Sequence, residues 1–413
     1  MTSDSRYASL TREQLATLVP ELLLIGQLID RSGMAWCISA FGREEMAQIA
    51  VEEWASSSPV YTRRMQQALG YAPAEPGHGD VVTIFKGLQL DIGAPPQFMD
   101  FRYTVHDPWH GEFHLDHCGA LMDVEPMGPD YVRSMCHDIE DPTFDATAVA
   151  SNPKAQVRPL HRPPRASADQ AADRRPHCAW TVIIDDSHPE VAPIPALAKV
   201  AGSHAASLTL GPIDAADTGL ADYAGPLVSD LDFSAFSHSA LVRIADEVCV
   251  QMHLLDLGFL IAVRARAESG EQAADISTRQ LVGIAGVAAE RIHRALGTDA
   301  LETLRLHPML NPAAYVAASF ADSSVTVSAT AAHHDGGWIT LCGPSSIRPL
   351  QAAVRAVDPH LDVEVIGTDT DWTATVVRRD GPAPDFDEVA VTRISTGAAF
   401  TFEPRRSLPI TPL

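Results

Sequence analysis

The stretch Glu112-Phe113-His114-Leu115-Asp116-His117-Cys118 alternates side chains that do chemistry with side chains that pack. Residues two apart on a strand share a face. His114, Asp116 and Cys118 are therefore expected to form one wall, with Phe113 and Leu115 behind it. Such a wall suits a metal or a proton-transfer site. A second cluster, Cys136-His137-Asp138-Ile139-Glu140-Asp141, stands just ahead of an expected helix start at Asp141-Pro142, where free N–H groups and the helix dipole favour a thiolate. His161 and His177-Cys178 offer a third contribution.

The ligand set expected from these clusters is His114, Cys118, Cys136 and His137, holding zinc or iron. The metal would lower the pKa of a bound water, with Asp116 or Asp138 as the base. A metal-free version makes Cys136 the nucleophile and His137 or His114 its base. No CxxC occurs, so a metal site would have to be assembled from separated strands and loops. The competing reading is plainer: reduced cysteines pack in the interior, while His and Asp line a solvated face.

Composition narrows the alternatives. The 413 residues exceed the usual size of one core, so two or three domains are expected. Acidic residues number 53 against 30 basic ones, a formal charge of −23 that repels nucleic acid and anionic membranes. No apolar run is expected to reach the roughly 18 residues of a membrane span. Met1 to Arg6 lacks the basic-then-apolar pattern of a signal peptide. A cytoplasmic protein with six reduced cysteines is the expectation, acting on a small molecule without nucleic-acid or membrane partners and with oligomerisation left open. With no phosphate-cradling glycine loop, dinucleotide fingerprint or GxSxG, no nucleotide cofactor is expected.

The elements that must position these residues come in two sets. Apolar positions from Leu15 to Gly33 predict a helix over 12–41, kinked near Pro20. A second helix starts near Arg43, breaks at Ser58-Pro59 and resumes to Leu69, with Gly70 as its stop. Strands follow over 101–105 and 112–118, then a helix over 141–150 and strands over 155–160 and 178–185. The order then recurs. Leu254-Leu255-Asp256 answers Leu28-Ile29-Asp30, Ala295-Leu296-Gly297 answers Ala68-Leu69-Gly70, and Leu304-Arg305-Leu306 answers Leu88-Gln89-Leu90. A second hairpin is expected from strands 325–329 and 338–342, placing Cys342, Trp338 and Thr340 where Cys118, His114 and Asp116 stand. Beyond it come a helix over 345–357, strands 362–366 and 372–377, and one more strand over 388–393.

The expected fold is thus α+β: two tandem copies of a helical hairpin packed on a small, mainly antiparallel sheet, related by a pseudo-two-fold. The units run 1–186, a Pro/Ala/Gly-rich connector 187–235, and 236–413. Because the second copy lacks the His114, Asp116, Cys136 and His137 chemistry, function is expected in the first. Asp30 and Asp256 read equally well as pocket carboxylates or as structural partners. Arg158, Arg162 and Arg165 form a basic patch suited to a substrate carboxylate.

The order of helical hairpin, hairpin ending in Cys, helix, strand with Pro163-Pro164 and final Cys178-Ala179-Trp180 strand resembles the L-2-amino-thiazoline-4-carboxylate hydrolase-like family. The family's cysteines map onto Cys118, Cys136 and Cys178. The likeness spans residues 15–185 and, more loosely, 238–378, where two of the three cysteines are missing. It implies a hydrolase that opens a small heterocycle by adding water. The run Met135 to Pro142 and the fusion of two copies depart from that pattern and point to a different substrate.

Overall fold

A computed structural model describes residues 5–164 and 176–413; Arg165 of the expected basic patch lies outside them. The first half opens with helices α1 (Arg12–Phe41) and α2 (Arg43–Ala68), then α3 (Val81–Leu88) and strands β1 (Met99–Asp107) and β2 (His110–Cys118). Helices α4 (Gly119–Val124), α5 (Pro129–Arg133) and α6 (Glu140–Ala148), strands β3 (Ala155–His161) and β4 (Cys178–Ile184) and helix α7 (Pro195–Ala201) follow. The second half repeats the series as α8 (His238–Arg266), α9 (Gly270–Leu296), α10 (Ala300–Leu306), β5 (Ala318–Ala321) and β6 (Ser324–Val327). It closes with α11 (Ala331–Asp335), α12 (Arg348–Val357), β7 (Leu361–Gly367), β8 (Trp372–Arg378) and α13 (Asp387–Thr392).

Both sheets are antiparallel and share one strand order, β1-β2-β4-β3 and β5-β6-β8-β7. This is the α+β duplication the sequence predicted. Gly70 and Gly297 end α2 and α9 at φ +68° and +67°, a left-handed conformation that glycine adopts without steric cost.

The four long helices interleave rather than forming two separate cores. Helix α1 packs on α8 and α9, and α2 packs on α8, so the halves share a continuous apolar interior. Ser32 of α1 donates to the Gln280 carbonyl of α9 at 3.1 Å, and Arg64 of α2 pairs with Glu247 of α8 at 2.9 Å. Contrary to the expectation that no apolar stretch is long enough, α8 has the length and, over an 18-residue window, the mean hydropathy (1.6) of a membrane span; 83% of that window is buried inside the protein.

Several local expectations are corrected. Helix α2 does not break at Pro59: it runs unbroken from Arg43 to Ala68 with Pro59 buried inside it, and packing on α8 outweighs the one backbone hydrogen bond that proline removes. The stretch 338–342 is not a strand, since Trp338–Leu341 forms a 3₁₀ turn and the second hairpin is β5–β6. Residues 388–393 lie largely in α13, not in a strand; the helix docks where Gly283 and Gly286 let Thr392, Glu388 and Val389 approach α9, so packing overrides β propensity. Within the connector 187–235, Val200, Leu227 and Phe233 are buried in the shared core. This segment leads from β4 through α7 as the later segment leads from β8 through α13.

Register also re-aligns the halves. Leu115 stands opposite Cys178, and Val327 opposite Trp372. Counting three residues on, Cys118 corresponds to Thr330, not Cys342. Both are helix N-caps: the Cys118 Sγ accepts from Leu121 N–H, and the Thr330 hydroxyl from Ala332 N–H.

Candidate active site

The expected wall on β2 does not form. Between Phe101 and Met99 β1 advances two residues while β2 advances three, from Leu115 to Cys118. This bulge turns Cys118 to the buried face with Leu115, whereas His114 and Asp116 stay on the outer, half-exposed face. There His114 lies 3.6 Å from Asp116, which faces Arg102 at 3.7 Å.

The second cluster is displaced for another reason. Residues Ser134–Ile139 form a π-helical turn joining α5 to α6, so no free helix N-terminus precedes Asp141. Pro142 has no N–H, and its ring would crowd the carbonyl of Asp138 four residues back; the widened turn lies at that point. Cys136 points into the core. His137 is half-buried with Nε2 2.9 Å from the Pro163 carbonyl, and Asp138 points to solvent. Among the described residues, no three of His114, Cys118, Cys136 and His137 bring ligand atoms within 4.8 Å of one another.

Cys118, Cys136 and Cys178 do converge, as buried neighbours of Glu140. Burial pushes the Cys118 thiol up to about 12, and burial followed by the charges of Glu140, Cys118 and Cys178 pushes Cys136 higher. A thiol held neutral in this way is a poor nucleophile. Arg162 donates to the Cys136 carbonyl and pairs with Asp141, while Arg158 pairs with Asp145 at 2.8 Å; both are structural partners. His161 is exposed at the end of β3.

The open space in the first half lies one layer away, between α1, α2, α4 and the 134–147 helical segment. This cavity of about 310 Å³ is walled by Met34, Met46, Met99, Met127, Met135, Trp54 and Phe144, with Asp30, Arg31, Asp91, Asp123 and Glu140 as its charged-type members. Asp30 pairs with Arg31 at 2.8 Å, and both side chains are largely buried. Three atoms of this group make no hydrogen bond in the buried interior: Asp30 Oδ1, Arg31 Nε and Glu140 Oε2. Unpaired buried polar groups are costly, and these three lie around one cavity.

Burial raises the Glu140 carboxyl to about 8, against the pull of Arg162 and Arg31. Burial also raises Asp91 to about 6, with the Gly93 N–H (2.7 Å) and the Tyr61 hydroxyl (2.8 Å) opposing it. A carboxyl that titrates near neutral pH in a cavity is a candidate general acid or base.

The corresponding place in the second half is closed. Asp256, the partner of Asp30, accepts the backbone N–H of Trp338 at 3.1 Å, and the Trp338 ring packs 5.2 Å from His253 in a fully buried position. Arg31 is answered by Leu257. If Pro349 stands for Pro142 at the head of α12, Ile347 holds the place of Glu140. A bulky side chain fills the space; Asp256 keeps its carboxyl there, with Oδ1 unpaired, but no counterpart of Arg31 or Glu140 stands beside it.

A larger cavity of about 710 Å³ lies where the halves meet. Its charged groups are already committed: Arg291 to Glu21 at 2.6 Å, Arg405 to Asp100 at 2.7 Å and Arg102 to Asp230 at 3.2 Å. It presents no comparable unpaired set.

Sequence reasoning missed Arg31 and Glu140 as site residues. Glu140 was within the second cluster, and Arg31 is the one cation in the stretch Leu15–Gly33. One group of ligand-type side chains among the described residues could hold a metal ion: His106, His110 and Glu112, whose ligand atoms lie within 4.8 Å of one another. It stands at the hairpin end of the sheet; the nine-residue strand from His110 to Cys118 separates it from the cavity by about 27 Å of strand. No family model matches this sequence, and no curated protein or solved structure matches it either.

Proposed function

We propose that the first half is a small-molecule hydrolase whose site is the cavity at Asp30, Arg31 and Glu140. The supporting observation is the contrast between the halves: an open cavity that brings Arg31 and Glu140 to Asp30 in one, and the Trp338 side chain packed beside Asp256 in the other. In this reading Glu140 takes a proton from water as the water adds to an electrophilic carbon of a small ring. It then returns the proton to the departing ring heteroatom. Arg31 faces the negative charge that builds on the carbonyl or imine atom. The methionine-rich wall holds the apolar part of the substrate. The ring-opening class comes from the family resemblance, and the cytoplasm is the compartment proposed. Zinc or iron enters the proposal at His106, His110 and Glu112, outside the cavity, and the acid–base chemistry does not use it.

The test is turnover of a panel of small cyclic amides and thiazolines by the full chain. Glu140→Gln should cut kcat by about 10²–10⁴-fold. In the wild type kcat should rise with pH through about 8, because the ionised carboxylate is the active form. Full activity in Glu140→Gln overturns the proposal. A second reading, a binding or sensor protein without turnover, draws support from the five methionines in the wall and the neutral cysteines. Saturable binding by both wild type and Glu140→Gln, with no product from either, favours it.

A further inference from the structure

We propose that the β1–β2 hairpin carries a divalent metal site formed by His106, His110 and Glu112, independent of the cavity chemistry. The ligand atoms of all three lie within 4.8 Å of one another. The His106 Nε2 is 3.4 Å from Glu112 Oε1, yet it is buried and makes no hydrogen bond. An ordinary imidazole–carboxylate pair would close to a shorter, aligned contact. Around a tetrahedral zinc with bonds of about 2.0–2.2 Å, adjacent ligand atoms stand about 3.3–3.6 Å apart, so 3.4 Å matches the edge of that tetrahedron.

The backbone is built to bring the two imidazoles together. Val105 pairs with Gly111 and Asp107 with His110, so β1 has one extra residue, His106, at the end of the ladder. Such a bulge re-aims its side chain, and the His106 ring stacks 4.5 Å from that of His110. Glu112 lies across from Thr181, whose hydroxyl is buried and unpaired and within cross-strand reach of the carboxylate. A hydroxyl that orients a ligating carboxylate is the usual outer support of a metal site. Two imidazoles and one carboxylate suit zinc or another late first-row divalent ion, not calcium or magnesium, and three protein ligands leave one position open.

The experiment uses the full chain purified without a His-tag and stripped with chelator. Zn²⁺ is followed by calorimetry and Co²⁺ by its visible ligand-field absorption. The expected result is about one saturable equivalent, weakened at least about tenfold in each of His106→Gln, His110→Gln and Glu112→Gln and unchanged in His78→Ala. Circular dichroism checks that each variant keeps its fold. Absence of saturable binding, or binding that survives all three substitutions in folded protein, overturns the site. Ring-opening activity, read separately, should be the same with and without the metal. Failure of the cavity proposal therefore leaves this one standing, and the reverse also holds.

Discussion

Asp123 and Asp335 occupy corresponding positions, each five residues beyond its helix N-cap (Cys118 and Thr330), and each grips the segment that the opposite half sends across. Asp123 accepts from the Ser395 hydroxyl at 2.6 Å and the Thr396 N–H at 2.7 Å. Asp335 accepts from the His204 and Ala205 N–H groups at 2.9 and 3.0 Å and from the Tyr315 hydroxyl at 2.8 Å. The exchange has a consequence for the site, because Asp123, Val391, Ile394 and Ser395 all line the first-half cavity. The second half thus contributes part of that wall.

Asp123→Ala should free the 395–396 segment and lower stability by about 1–3 kcal/mol, the range for hydrogen bonds to a charged group. Hydrogen exchange should show lost protection over 387–399, with the β7–β8 amides unchanged. Unaltered protection over 387–399 would contradict the latch.

Burial alone would raise the Asp335 carboxyl, but hydrogen bonds from His204, Ala205 and Tyr315 hold it below the usual value. A depressed carboxyl gives stability that is present above the unfolded pKa and lost as pH falls through the folded one. In denaturant titrations below about pH 4, Asp335→Asn should therefore lose less stability than the wild type.

The sign is opposite for Glu140. Its carboxyl is raised from 4.5 to about 8, so the folded state holds a proton that the unfolded state has released. Stability should fall as pH rises from about 4.5 to 8, by up to a few kcal/mol. Glu140→Gln should flatten that slope. An identical pH dependence in wild type and variant would show that Glu140 is solvated.

Trp338→Ala should empty the place filled in the second half and cost about 3–5 kcal/mol, as expected when a buried indole is deleted. A crystal structure of the variant should show a void beside His253 and Asp256. Collapse of α11 into that space would cut the cost and make the comparison between halves less direct.

None of the six cysteines forms a disulfide and all are buried, and burial raises Cys37, Cys118, Cys136, Cys249 and Cys342. Native protein should therefore react slowly with a thiol reagent and release six equivalents only on unfolding. Rapid modification of Cys136 in the folded chain would restore it as a nucleophile.

The sequence by itself determined the repeated order of helices and strands, because hydrophobic spacing and residues such as Gly70 and Gly297 act locally. It also pointed to the first half, through the charged and ligand-type residues from His114 to Asp141. Which of those residues meet was decided by the tertiary structure. A bulge between Leu115 and Cys118 reverses one side chain's face, and a π turn ahead of Pro142 removes the expected helix N-terminus. Neither follows from a two-residue or 3.6-residue period. Arg31 and Glu140 are distant in the chain and meet only because α1 and α6 enclose the same cavity. The Asp123 and Asp335 latches depend on one half reaching over the other, a contact that periodicity within either half cannot show.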